Sequence, residues 1–181
     1  HDARAYGISA VFQEFSLIPQ MTVEENLFLG AEPTRGGFTD RGRIRREALE
    51  ILDELGFALK PEQRVDHLTR AEQQMVEIAK AFRSDLSVLI LDEPTASLTN
   101  HETDHLFGLI GQLTERGVGI IYITHRMAEI RRIGDRITVL RDGRYIDTVD
   151  AKTSSEDDLV RLMTGRVVGG IFPALDLGEP G

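Results

Sequence analysis

The chain has 181 residues, 41% of them hydrophobic, no cysteine and a formal net charge of -9. That is enough apolar material for a core in one domain, or one domain with a subdomain, while the missing cysteines exclude disulfides and thiolate metal sites. The acidic balance argues against a broad nucleic-acid or anionic-membrane surface, no apolar run approaches the roughly 20 residues of a membrane span, and no signal-peptide pattern is present.

Those features predict a globular chain that stays in the reducing cytoplasm, and a first residue of His1 predicts that it begins inside a longer gene product or at a processed junction. Ile8 to Phe12 reads as a buried strand, bounded by Gly7 and the polar pair Gln13-Glu14. Thr22-Val23-Glu24-Glu25 places a hydroxyl three residues before a carboxylate, the capping-box spacing, and opens a short helix through Leu29 that stops at Gly30. Pro33 to Asp40 is rich in turn formers and reads as a loop. Ile44, Ala48, Ile51, Leu52 and Leu55 recur at helical spacing between Arg43 and Leu55, with Gly56 as the stop. The basic run Arg41, Arg43, Arg45 and Arg46 reads as a solvated face of that helix. A further helix covers Ala71 to Phe82, with Met75, Val76, Ile78, Ala79 and Phe82 on its apolar side.

From Val88 onward helix and strand alternate. Val88-Leu89-Ile90-Leu91 is a buried parallel strand by composition and ends in the adjacent carboxylates Asp92 and Glu93. His101 to Glu115 reads as a helix, Val118 to Ile123 as a strand, Arg126 to Ile133 as a helix and Ile137 to Leu140 as a strand. Asp142-Gly143 signals a hairpin back through Tyr145. Ser154 to Met163 gives the last helix, with Ser154 and Ser155 available as caps, and residues 166–181 read as a linker or tail. The pattern predicts a parallel α/β sheet with an antiparallel hairpin at one side.

An apolar strand ending in Asp-Glu is the Walker B arrangement of a phosphate-handling site. The first carboxylate then holds Mg²⁺ and the second orients or deprotonates an attacking water. An acidic loop after an ordinary parallel strand reads the same way, so the companions decide. His125 follows the next strand through Thr124, and Gln13 follows the first, both at the carboxyl edge where α/β sheets place their chemistry. Either residue taken alone is as well explained as a loop or surface polar side chain. The order strand-Gln, helical insert, strand-Asp-Glu, strand-Thr-His carries more weight. The chain contains no G-x-x-x-x-G-K-[ST] loop to cradle phosphates.

Together, Val11-Phe12-Gln13-Glu14, Thr22 to Gly30, Glu72 to Ala81, Leu91 to Thr99 and Tyr122 to Arg126 resemble the nucleotide-binding domain of ABC transporters. The run Gln73-Gln74-Met75-Val76-Glu77-Ile78-Ala79-Lys80, with Met163-Thr164-Gly165-Arg166 and Phe172-Pro173, is similar to the first ATPase half of monosaccharide importers, of ribose, xylose or galactose type, without its N-terminal Walker A part. The resemblance implies a partial P-loop NTPase fold, with residues 1–13 and 85–165 as a RecA-like core and 14–84 as a helical subdomain. It makes Gln13 the Q-loop glutamine, Asp92 the Walker B aspartate, Glu93 the catalytic glutamate, Ala96 to Thr99 with Ser97 the D-loop, and His125 the switch histidine. Asp92 and Gln13 would face Mg²⁺.

The signature position is Leu68-Thr69-Arg70-Ala71-Glu72, where the family usually carries Leu-Ser-Gly-Gly-Gln. Thr69 keeps a hydroxyl, Arg70 adds bulk, and Glu72 sets a negative charge where a phosphate of ATP would approach, which predicts a weak or purely structural composite site. The resemblance further implies ATP and Mg²⁺ as cofactors, and a second nucleotide-binding domain, integral membrane permease subunits and, indirectly, a sugar-binding protein as partners. It places the protein peripherally on the inner face of the cell membrane.

Without the phosphate loop this chain alone is expected to be inactive. The resemblance further implies a sheet that lacks the strand between those ending near Ile123 and Leu140, and such an edge invites strand pairing, including a homodimer of this chain. A non-transport ABC ATPase is the alternative in function, disfavoured by the acidic charge. A catalytically silent module docking through Phe15, Leu17, Ile18 and Pro19 is another, although those residues equally suit core packing.

Overall fold

The computed structural model describes residues 2–83 and 86–165, so the tail expected over 166–181 lies outside the described residues. The chain forms two compact units, His1–Thr124 and His125–Gly181.

The first unit is built on a parallel sheet. After a single helical turn, α1 (Asp2–Ala5), strand β1 (Ile8–Val11) pairs with β4 (Val88–Asp92), and β4 pairs with β5 (Gly119–Ile123), giving the order β1-β4-β5. The registers Val11↔Leu91 and Asp92↔Ile123 bring the carboxyl ends of the three strands to one edge. In β4, Leu89 and Leu91 are buried while Val88, Ile90 and Asp92 are half-buried, so one face of the central strand carries the core. On the β5 edge Ile121 and Ile123 are exposed, while Tyr122 packs its ring against Phe107 of α5 (Asn100–Glu115).

Between β1 and β4 lies a helical stretch. α2 (Val23–Phe28) packs against both α3 (Arg41–Glu54) and α4 (Arg70–Ala81), burying Val23, Leu27, Phe28, Ile44, Ala48, Leu52, Val76 and Ile78. Full burial of one such side chain contributes roughly 1.5–3 kcal/mol, so this apolar layer is the main cohesive term of the stretch. The expected capping box is present at Thr22 and Glu25, and the same device starts α4 with Thr69 and Glu72 and α5 with Thr99 and Glu102. Each box satisfies two amide donors that a helix start otherwise leaves open.

The loop expected over Pro33 to Asp40 contains a miniature hairpin. β2 (Thr34–Arg35) pairs with β3 (Phe38–Thr39) around Gly36 and Gly37, both at positive φ, which is the two-residue turn chemistry that favours glycine. Its strands are too short and too exposed to show an apolar alternation, which is why spacing alone misses them. A 3-10 turn, Val65–His67, leads into α4.

The second unit holds α6 (Met127–Ile133), the antiparallel pair β6 (Arg136–Arg141) and β7 (Arg144–Asp150), and α7 (Glu156–Thr164). The expected hairpin turns at Asp142-Gly143, both at positive φ, and Ser155 caps α7 through the Asp158 amide. The α/β class, the parallel sheet and the C-terminal hairpin agree with the sequence. Among the described residues, no helix is long and apolar enough to cross a membrane.

Candidate functional site

Asp92 closes β4 and Glu93 follows it into a sharp turn. Glu93 is left-handed, with φ 47°, and among the described residues only Asp142 of the hairpin turn shares a positive φ without being glycine. This conformation disfavours an L-residue by roughly 1–2 kcal/mol. Two backbone hydrogen bonds hold it: the Glu93 amide donates to Ile123 O of β5 at 3.0 Å, and Ala96 N donates to Glu93 O at 3.2 Å. Pro94 and Thr95 are buried behind the turn. Two adjacent carboxylates, both half-buried, are therefore presented by an over-determined backbone at the carboxyl edge of the sheet. Strain held at such a position is an observation from which a functional hypothesis can start.

Gln13 lies two residues beyond Val11, whose partner Leu91 immediately precedes Asp92, so the strand pairing brings Gln13 and the acidic pair to the same edge. Ser97 is exposed in the connection from β4 to α5, between Leu98, whose amide bonds Thr95 O, and Ala96. His125 comes two residues after Ile123 and opens the second compact unit with an exposed side chain.

Among the described residues no group of three His, Cys, Asp or Glu is placed to hold a metal. Asp92 with Glu93 suits another mode, in which one or two carboxylates share Mg²⁺ with water and phosphate oxygens. The donor chemistry of the edge fits that ion.

Thr69, Arg70, Ala71 and Glu72 lie together at the start of α4. Thr69 is the N-cap, and its hydroxyl accepts from Glu72 N at 3.3 Å. The Glu72 carboxylate accepts from Thr69 N at 2.7 Å and from Thr69 Oγ1 at 2.9 Å. Donors that an incoming anion could use are thus already engaged by a negative side chain. The same box at α2 and α5 shows that Thr69 and Glu72 also form an ordinary helix start. Arg70 turns aside, its guanidinium 5.2 Å from the ring centroid of Phe15.

Two contact sets were not apparent from motif spacing. Asn26, fully buried in α2, accepts from Ile18 N at 2.7 Å and donates to Ile18 O and Thr22 O, both at 3.0 Å. Glu77, 6% exposed within α4, accepts from the amide and the hydroxyl of Ser16. The available signal for Glu77 is a carboxylate set among the apolar Val76, Ile78 and Ala79.

A family model described as ABC transporter matches residues 1–96. The ribose import ATP-binding protein RbsA 1 of Streptomyces avermitilis is 49% identical over 172 residues, 95% of this chain and 33% of the relative. The galactose/methyl galactoside import ATP-binding protein MglA of Pasteurella multocida is 45% identical over 172 residues, 95% of this chain and 34% of the relative. The chain thus spans about a third of the length of these curated relatives. Among solved structures, a dimeric ATP-binding cassette in a post-hydrolysis state, bound to ADP and phosphate, is similar with a TM-score of 0.69 and 29% identity, covering 80% of this chain and 62% of that one. A nucleotide-free ATP-binding cassette from an ABC transporter shares the fold, with a TM-score of 0.70 at 21% identity over 90% of this chain and 67% of that one. The chain belongs to the ABC transporter family.

Proposed function

We propose that the chain is part of an ATP-hydrolysing subunit that energises import of a sugar across the cytoplasmic membrane. The observation that carries this reading is the Asp92-Glu93 pair at the carboxyl edge of the parallel sheet, with Glu93 held left-handed by Ile123 and Ala96. The sugar-import names of the two relatives favour a sugar as cargo.

In this reading Asp92 and Gln13 face the Mg²⁺ of bound ATP, and the ion supplies charge neutralisation on the transferring phosphate. Glu93 orients and accepts a proton from the attacking water, His125 takes the part of the family's switch histidine, and Ser97 lies in the segment that meets a second nucleotide-binding domain. Residues 1–13 and 85–165 act as the RecA-like core and 14–84 as the helical subdomain. The phosphate-cradling loop, absent from these 181 residues, comes from elsewhere in the protein. Thr69, Arg70, Ala71 and Glu72 contribute to the composite site across the dimer, and the engaged Glu72 carboxylate supports slow turnover there.

The partners are a second nucleotide-binding domain and membrane permease subunits, with a sugar-binding protein acting through them, and the location is the cytoplasmic face of the membrane. The test is ATP hydrolysis by the full-length protein reconstituted in vesicles with its permease. Hydrolysis stimulated by sugar-loaded binding protein is expected. Hydrolysis indifferent to the membrane subunits would favour a non-transport ABC ATPase instead.

A further inference from the structure

The chain enters α2 at Val23, ten residues after the expected Mg²⁺-facing Gln13, but before that it is already fastened to α4 and to α2. Phe15 lies under Arg70, Ser16 is gripped by Glu77, and Ile18 is held at both its amide and its carbonyl by Asn26. We propose that Glu77 is a positioning residue for Gln13: by gripping Ser16 it ties the loop carrying Gln13 to α4, the helix that begins at Thr69. This deepens the importer reading above and rests on it.

The grip has a specific chemistry. One carboxylate oxygen of Glu77 accepts the Ser16 backbone N–H, and the other accepts the Ser16 hydroxyl at 3.2 Å. The Lys80 ammonium donates to the same hydroxyl oxygen at 2.9 Å. Ser16 thus bridges a buried anion and a cation one helical turn apart. A carboxylate offers both acceptors, whereas a glutamine offers one acceptor and an N–H₂ group that the Ser16 hydroxyl could meet only by giving up its role as donor. Arg70 and Glu77 are seven residues apart, two turns of helix, so they share one stripe of α4 about 10 Å long. Phe15 and Ser16 dock at its two ends.

Between the last sheet residue, Val11, and the first docked residue, Phe15, only Phe12, Gln13 and Glu14 intervene. Four Cα steps reach at most about 14 Å. The grip thus ties α4, which also packs against β1, to the end of that strand through a short tether that contains Gln13. The grip spans 61 residues of sequence, so it is a tertiary connection and not a local cap.

The test uses the full-length protein with its permease in vesicles, comparing Glu77→Gln, Ser16→Ala, Ser16→Thr and the Ser16→Ala/Glu77→Gln double variant, with Glu93→Gln as control. Glu77→Gln is expected to lower sugar-stimulated kcat about tenfold and leave the KM for ATP within about twofold. Ser16→Ala, at an exposed site that keeps its backbone bond, should lose about threefold, Ser16→Thr should retain wild-type kcat, and the double variant should be no slower than Glu77→Gln. Unchanged kcat in both single variants, or additive losses in the double, overturns the proposal. If Glu93→Gln is inactive and these results fail, the positioning role alone falls. If Glu93→Gln turns over like wild type, the importer reading falls and takes the positioning role with it.

Discussion

Glu93→Gly and Glu93→Ala both delete the carboxylate, so their difference isolates the backbone. At φ 47° alanine carries the left-handed penalty of roughly 1–2 kcal/mol and glycine does not. Glycine loses roughly 0.5–1 kcal/mol more conformational freedom on folding, which offsets part of the gain. The structure gives residue 93 no easy relaxation. Its amide is bonded to Ile123 O, its carbonyl to Ala96 N, and Pro94 disfavours the right-handed helical region for the residue before it. Glu93→Gly should therefore be about 1 kcal/mol more stable than Glu93→Ala, or about 2–4 °C in Tm for a chain of this size. Urea unfolding of the two variants, read as a change in midpoint at equal slope, measures this directly. Both should lose ATP turnover in the full-length protein, so stability and activity move apart. An alanine variant as stable as the glycine variant would refute the claim that the Glu93 backbone is strained.

Glu72→Gln keeps an acceptor for the Thr69 amide but removes the negative charge; it should change stability by no more than about 0.5 kcal/mol and raise ATP turnover of the full-length protein. Unchanged turnover would remove Glu72 as the cause of a weak composite site. Asn26→Ala strands the amide and carbonyl of Ile18 and should cost about 3 kcal/mol in denaturant unfolding. Burial pushes the Glu24 carboxyl above its usual range, reinforced by Glu62 and Glu25 and opposed by Arg45 and Arg41, and its Oε2 is buried with no partner among the described residues. A raised carboxyl favours the folded state below the ordinary glutamate pKa and loses that contribution as pH rises through the folded value. Glu24→Gln should therefore flatten the fall in stability on going upward from about pH 4.5, and an unaltered stability-pH profile would count against the burial effect.

The alternation of helix and strand after Val88 was legible because buried parallel strands read as apolar runs and their helices as period 3.6. The acidic pair was legible for the same reason, since the apolar run of Val, Leu and Ile gives way at Asp92, the last residue of the strand, and Glu93. The left-handed turn at Glu93 was not, because it depends on hydrogen bonding to Ile123, 30 positions downstream in a neighbouring strand. The Thr-x-x-Glu spacing predicts the cap of α2, and the same spacing at Thr69 and Thr99 makes the caps of α4 and α5 equally visible. At Thr69 the two meanings of one motif coincide, and only the geometry reveals that Glu72 occupies the helix start. The hairpin at Gly36-Gly37 escapes because two-residue strands have no period to detect. Ser16 and Glu77 escape because nothing local relates them.

In the proposed function Glu93 serves ATP hydrolysis and not merely the turn after β4. Its most direct test is full-length Glu93→Gln protein incubated with labelled ATP and Mg²⁺, with bound nucleotide recovered and identified. That protein is expected to retain ATP at near wild-type affinity and not to convert it to ADP. ADP formation at the wild-type rate would contradict it.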